Sequence, residues 1–124
     1  MWATDVCVPI SRLAECILET QKDIVANGLY APIVGHVGDG NFHCEILIRP
    51  ESKADLEEAK AFNERVVNRA LAMEGTCTGE HGIGFGKMRS LRKELGEAVD
   101  LMLSMKRAID PEDLMNPGKV VALS

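Results

Sequence analysis

The spacing of apolar residues predicts two long amphipathic helices in the first part of the chain. Over residues 12–27 the apolar positions recur every three or four residues, and Asn27-Gly28 supplies a left-handed stop. Ser11 is the expected N-cap of this helix. A second helical stripe covers residues 52–73, where Ser52 opens a sequence that resembles a capping box. Each helix therefore has one face to bury.

Shorter apolar patterns predict four strands around these helices. Residues 4–8 alternate polar and apolar positions, and residues 75–78 form a short extended segment. Residues 30–49 hold two apolar runs on either side of Asp39-Gly40. Because an Asp-Gly pair between extended segments favours a two-residue hairpin turn, we place Asp39-Gly40 at the tip of a hairpin.

The order of these elements predicts an α+β fold. Strand, helix, strand, strand, helix, strand is the plan of a ferredoxin-like split βαβ antiparallel sheet with helices on one face. Residues 88–109 add a helical C-terminal extension, with a break near Gly96 and with Val99, Met102, Met105 and Ile109 on one stripe. A chain of 124 residues with 46% hydrophobic residues can bury one modest core. We therefore expect residues 1–124 to form a single domain.

Composition and charge exclude several classes of partner. The formal net charge is −5 and the basic residues do not cluster, so the chain offers no surface for nucleic acid or for anionic lipid. No apolar run is long enough for a transmembrane segment, and the first residues do not resemble an export signal. Four widely spaced cysteines form no C-x-x-C pair and are expected to be reduced thiols. These features predict an intracellular protein, cytoplasmic or, in a eukaryote, in the mitochondrial matrix.

The predicted hairpin brings two of the three histidines together. A two-residue turn at Asp39-Gly40 makes His36 and His43 direct cross-strand neighbours, with Cβ atoms about 4.5 to 5.5 Å apart. Two imidazoles at that separation can share a divalent metal ion. The alternative is that both are ordinary polar residues on the solvent-facing side of a sheet.

The glycine-rich segment after residue 78 carries the third histidine beside a carboxylate. Glu80 can complete a metal-binding set with His36 and His43, which leaves His81 as a candidate general base. Glycines at 79, 82, 84 and 86 fit neither a Walker A nor a dinucleotide-binding pattern. They more plausibly allow close approach of a ligand or cofactor, and Gly82 is our candidate there. A flexible surface loop is the alternative.

Four motifs in order carry a resemblance to a known family. They are Thr4-Asp5-Val6-Cys7-Val8-Pro9 with Ser11-Arg12-Leu13, then Gly35-His36-Val37-Gly38-Asp39-Gly40-Asn41-Phe42-His43, then Cys77-Thr78-Gly79-Glu80-His81-Gly82-Ile83-Gly84, and Met115-Asn116-Pro117-Gly118-Lys119. With them, nearly the whole chain resembles the C-terminal region of the FAD-linked oxidases, a family that includes D-lactate dehydrogenases and the glycolate oxidase flavin subunit.

The resemblance implies a role for each candidate residue. His36, His43 and Glu80 would bind zinc or manganese, and His81 would take the hydroxyl proton of a small D-2-hydroxy acid, with D-lactate favoured, as hydride passes to FAD. Asn116 lies in a segment that approaches the flavin in such enzymes. The flavin-binding domain that holds most of the FAD is absent from this sequence, so we expect it to act in cis or in trans and the chain alone to be inactive.

Two other functions and one assembly state stay open at this point. The chain could be a free-standing metal-binding module without catalysis, or a small metal-dependent hydrolase in which an ion activates water. A sheet face made to cover a flavin domain could also self-associate when that domain is absent.

Overall fold

The structure is a computed structural model that describes residues 1–123. It divides into two compact units, Met1–His81 and Gly82–Ser124. The predicted α+β class is confirmed, since a four-stranded antiparallel sheet is combined with four helices. Within residues 1–123, no helix is both long and apolar enough to cross a bilayer.

The first unit has the element order that the pattern predicts. Its elements are β1 (Trp2–Ala3), β2 (Val6–Cys7), α1 (Ile10–Ala26), β3 (Ile33–His36), β4 (Asn41–Ile46) and α2 (Lys53–Ala72). β4 is the central strand, with β3 on one side and both β1 and β2 on the other. The predicted strand over residues 75–78 is reduced to one antiparallel bridge between Cys7 and Thr76. This order is that of a split βαβ sheet.

β1 and β2 are two halves of one interrupted strand. Trp2 pairs with Ile46 and Cys7 pairs with Asn41, so both halves keep the same register against β4. The interruption falls at Thr4 and Asp5, which are both buried. At this interruption the Thr4 hydroxyl and the Asp5 carboxylate both accept hydrogen bonds.

The core of the first unit combines alternate residues of β4 with the inner faces of the two long helices. Side chains that are at most 7% exposed include Val6, Leu13, Cys16, Phe42, Cys44, Ile46, Phe62, Val66 and Val67. Burial raises the pKa of the Cys44 thiol to about 11, so this cysteine is an inert part of the core. The reduced state expected for the cysteines agrees with the absence of a disulfide among residues 1–123.

A buried carboxylate ties α1 to α2. Asp23 accepts hydrogen bonds from Arg65 Nε at 3.0 Å and from Arg69 Nη2 at 2.8 Å. Burial opposes ionisation of Asp23, but the bonds from Arg65 and Arg69 outweigh it and lower the pKa of the carboxyl. The two helices are thus held together by charge as well as by apolar packing.

The predicted helix ends are partly right. α2 begins after Ser52, whose Oγ accepts a bond from Asp55 N at 3.1 Å, and α1 ends at Asn27 with Gly28 at a φ of +62°. The predicted N-cap at Ser11 is wrong, because α1 begins at Ile10 after Pro9 without a side-chain cap. Because α1 begins already at Ile10, Ser11 lies inside its first turn instead of before the helix.

The second unit contains α3 (Met88–Leu95) and α4 (Ala98–Ile109), separated at Gly96 as the sequence predicts. The positive φ of Gly96, +54°, accounts for the break. The predicted stripe on α4 does not form a buried face. Val99 is 6% exposed, whereas Met105 and Ile109 are 55% and 69% exposed.

A buried aspartate closes the second unit after α4. Asp110 accepts bonds from the backbone N–H groups of Leu114 and Met115, both at 2.9 Å, and forms an ion pair with Lys106. The hydrogen bond from Lys106 is the main reason that the pKa of Asp110 lies below its usual value. Local polar bonds therefore order this segment.

Candidate metal centre

The hairpin register differs from the predicted one by two residues. His43 is paired with Val34, and His36 is paired with Asn41, so the two histidines are diagonal rather than direct neighbours. The predicted direct pairing of His36 with His43 is therefore wrong. Because side chains alternate between faces at a period of two, an even displacement keeps both histidines on the same face of the sheet.

The cause of the displacement is a longer turn. Val37–Asp39 form one turn of 3₁₀ helix, and Gly40 closes it in the left-handed conformation with a φ of +76°. Val8 N donates to Gly40 O at 3.0 Å, and a Cβ on Gly40 would lie 2.0 Å from Val8 O. Gly40 thus packs against the segment that follows β2, where no side chain fits.

Three candidate ligand atoms converge on this face. Glu80 Oε1 lies 3.1 Å from His43 Nε2 and 3.5 Å from His36 Nε2. Bonds of about 2.0 to 2.1 Å in a tetrahedral zinc site place ligand atoms about 3.3 Å apart, which matches these separations. The His43 side chain is 8% exposed, while His36 and Glu80 are 62% and 49% exposed. The cluster has a buried rear and an open front.

A backbone carbonyl orients His43 within the cluster. His43 Nδ1 lies 3.0 Å from Thr4 O, and since a carbonyl oxygen only accepts, the Nδ1 atom carries the proton. The lone pair of Nε2 then points towards Glu80 and is available for a metal ion. Such a bond on the far nitrogen is typical of histidines that bind metals.

His81 lies against the cluster as its sequence position predicts. Its ring stacks on that of His43 with centroids 4.8 Å apart and an angle of 7° between the planes. His81 Nε2 is 3.6 Å from Glu80 Oε1, and half of its side chain is exposed. His81 therefore has room to meet a molecule bound at the open front.

Asp5 is the site residue that the sequence interpretation missed. Its carboxylate, in a residue only 1% exposed, accepts bonds from Thr78 Oγ1 at 2.7 Å and from three consecutive backbone N–H groups, at residues 79–81. Asn41 Nδ2 donates to it as well, at 2.9 Å. Aspartate is disfavoured in strands, so its presence within the predicted strand at residues 4–8 was the available signal for a special role.

A second set of possible ligands shares His43 with the first. Asp5, His43 and His81 also have one ligand atom each within 4.8 Å of one another, as do His36, His43 and Glu80. The oxygens of Asp5 are already engaged by hydrogen-bond donors, whereas the first set presents the half-exposed carboxylate of Glu80. The donor chemistry therefore favours His36, His43 and Glu80.

The glycines of this segment have different roles. A Cβ on Gly79 would lie 1.8 Å from Asn41 Nδ2 and 2.7 Å from Asp5 Oδ1, so this glycine is needed for the close approach of the loop. Gly82 and Asn116 belong to the second unit and have φ values of +78° and +49°. Their contact with a cofactor stays a prediction.

Comparison with known proteins identifies the family. The description "FAD linked oxidases, C-terminal domain" belongs to the family whose profile matches residues 1–120. The probable mitochondrial D-lactate dehydrogenase of Danio rerio is 53% identical over 124 residues, which are 99% of this chain and 25% of that protein. Mitochondrial D-lactate dehydrogenase [cytochrome] 1 of Saccharomyces cerevisiae is also 53% identical, over 97% of this chain and 20% of that protein.

A more distant relative gives the same assignment. Glycolate oxidase subunit GlcD of Bacillus subtilis is 34% identical over 120 residues, which are 95% of this chain and 25% of that protein. The chain thus spans a fifth to a quarter of the length of these relatives. It belongs to the FAD-linked oxidases and corresponds to their C-terminal domain.

Proposed function

We propose that this chain is the metal- and substrate-binding part of a flavin-dependent D-2-hydroxy acid dehydrogenase, with D-lactate as the favoured substrate. The observation that carries the proposal is the convergence of His36, His43 and Glu80 beside His81. The names of the 53% identical relatives support D-lactate. A flavin-binding domain, in cis or in trans, would hold most of the FAD.

The ligand set suits zinc or manganese. Two imidazole nitrogens and one carboxylate oxygen are ligands that both ions accept, and three protein ligands leave positions open for substrate. A divalent ion held by His36, His43 and Glu80 would polarise the hydroxyl and carboxylate oxygens of the substrate. His43 provides the rigid rear of this set, because its Nδ1 is fixed by Thr4 O.

His81 is the proposed general base. Its ring is stacked on that of His43, and its Nε2 lies 3.6 Å from Glu80 Oε1. In the proposed reaction Nε2 takes the proton of the substrate hydroxyl while the hydrogen on Cα leaves with its electron pair. FAD held by the flavin-binding domain would accept this hydride, and the product would be a 2-oxo acid.

Metal binding is the first test of the proposal. Titration of the chain with Zn²⁺ and with Mn²⁺ is expected to give one site per chain, which His43→Ala and Glu80→Gln weaken strongly. His81→Gln is the matched control, because its side chain lies beside the ligand set without belonging to it. Undiminished binding in both ligand variants would contradict the assignment.

Catalysis requires a flavin-binding domain in addition to this chain and is tested in a chimera. Replacing the corresponding segment of the yeast relative with this chain is feasible at 53% identity. The chimera is expected to reduce its flavin with D-lactate, and His81→Gln to abolish this while metal stays bound. Metal binding without flavin reduction would favour the non-catalytic module, and ester turnover that His36→Ala removes would favour the hydrolase.

A further inference from the structure

We infer that Asp5 is a positioning residue, whose buried carboxylate holds the segment 79–81 so that Glu80 and His81 face His43. The inference rests on the proposed function for the meaning of the site, but its structural content is independent of catalysis. Asp5 and His81 are 76 residues apart in the sequence and are joined by a direct hydrogen bond of 3.0 Å. The bond is therefore a long-range contact that joins the two ends of the first unit.

Asp5 lies at the interruption between β1 and β2, next to a residue that is bound to β4. Thr4 keeps the strand attached to β4, because its N–H donates to Cys44 O at 3.0 Å and its Oγ1 accepts from Cys44 N at 2.8 Å. Thr4 O also binds His43 Nδ1. Two adjacent residues thus orient both halves of the site, Thr4 the histidine and Asp5 the loop.

The loop segment forms a concave nest around the carboxylate. The N–H groups of Gly79, Glu80 and His81 reach Asp5 Oδ2 at 2.8, 3.2 and 3.0 Å. Successive backbone N–H groups that converge in this way bind an anion. An asparagine in place of Asp5 would lack the charge and could turn an NH₂ group towards these donors. The nest would then have no bound anion.

Asp23 provides a matched control for Asp5. Its side chain is also buried, 8% exposed, and is also bound by several donors, but these are Arg65 and Arg69 between α1 and α2. Asp23→Asn and Asp5→Asn therefore each remove one buried carboxylate from the first unit. Only Asp5→Asn removes the anion at the centre of the nest.

Zinc affinity separates positioning from general stability. Asp5→Asn is expected to weaken Zn²⁺ binding about 10- to 100-fold, the range found for residues that orient metal ligands. Asp23→Asn is expected to leave the Zn²⁺ affinity unchanged, even if both variants unfold at a lower urea concentration than the unmodified chain. Equal Zn²⁺ affinity in Asp5→Asn and the unmodified chain would overturn the inference.

A double variant tests whether Asp5 acts through Glu80. If it does, Asp5→Asn added to Glu80→Gln weakens Zn²⁺ binding little beyond Glu80→Gln alone. Independent action would instead multiply the two losses and would contradict the assigned role.

Amide hydrogen exchange tests the inference without any metal. In the metal-free chain the amides of residues 79–81 are expected to exchange slowly, and Asp5→Asn to accelerate them while Asp23→Asn does not. Rapid exchange in the unmodified chain would overturn the inference even if Zn²⁺ binds. Slow exchange that depends on Asp5, in a chain that binds no Zn²⁺, would instead contradict the proposed function alone.

A milder variant covers the case in which Asp5→Asn does not fold. Thr78→Val removes one donor to Asp5, the Oγ1 bond of 2.7 Å, and leaves the carboxylate in place. It is expected to accelerate exchange at residues 79–81 and to weaken Zn²⁺ binding by a smaller factor. No change in either measurement would contradict the inference.

Discussion

The two units of this chain are ordered by different means. The first buries large apolar side chains, with Phe42 and Phe62 fully inaccessible, and builds its site on that core. Among its described residues the second buries few, chiefly Leu91 and Val99, and is tied by the buried Asp110, which accepts bonds from two backbone N–H groups. Helical periodicity therefore predicts a helix in both units. It predicts a buried core only where other elements of the chain cover the apolar face of that helix.

The largest expected effect falls on the core of the first unit. Phe62→Ala should lower the free energy of unfolding by about 3 to 5 kcal/mol, because it removes a ring from a fully buried position and leaves a cavity. Urea unfolding followed by circular dichroism measures the change. A loss below about 1 kcal/mol would show that the core of the first unit is far looser than its burial indicates.

Metal binding should sharpen the difference between the units. Free Zn²⁺ at 100 times its dissociation constant is expected to stabilise the first unit by about 2.7 kcal/mol, since only the folded chain presents the ligand set. Differential scanning calorimetry with and without a chelator measures this gain, and His43→Ala should remove it. Stabilisation that survives in His43→Ala would place the ion elsewhere.

The helix-to-helix ion pair gives a smaller effect that depends on pH. Asp23→Asn should cost about 1 to 2 kcal/mol at neutral pH, a value reduced because Arg65 is partly exposed. The pKa of Asp23 is lower in the folded state than in the unfolded one, so its contribution is present above the unfolded value of about 4 and is lost as pH falls through the folded value.

The pH profile of unfolding checks the sign of this contribution. The stability difference between the unmodified chain and Asp23→Asn should shrink as the pH is lowered below about 4. A difference that grows in acid would contradict the assigned pKa shift.

The smallest effect belongs to the exposed stripe of the second unit. Met105→Ala should change stability by less than about 0.5 kcal/mol, because more than half of the side chain already meets solvent. The same urea experiment applies, with Val99→Ala, at a buried position of the same helix, as the control that should lose more. Equal losses in the two variants would contradict the burial difference along α4.

Local patterns predicted most of the fold. Helix positions, the stop at Gly28, the break at Gly96 and the capping role of Ser52 follow from neighbouring residues, and the structure confirms them. The order of strands follows from chain connectivity. The predicted N-cap at Ser11 is wrong because α1 begins already at Ile10, which a capping residue type alone does not reveal.

The parts that failed depend on contacts between distant residues. In the observed hairpin register Gly40 lies against Val8, a contact that the sequence around Asp39-Gly40 does not reveal. The face of His36 and His43 was nevertheless predicted correctly, because the displacement is even. Asp5 could not be assigned without that register and without the path of the loop at residues 79–81.

The long span of the Asp5–His81 bond also bears on when this site can exist. The bond between residues 5 and 81 joins positions 76 residues apart in the sequence. Forming it costs chain entropy and belongs to the slow, non-local steps of folding. A nascent chain from which residues 79–81 have not yet emerged already contains His36 and His43. It still lacks the carboxylate of Glu80 and the N–H groups that bind Asp5. Under the proposed function, tight metal binding therefore requires the complete first unit.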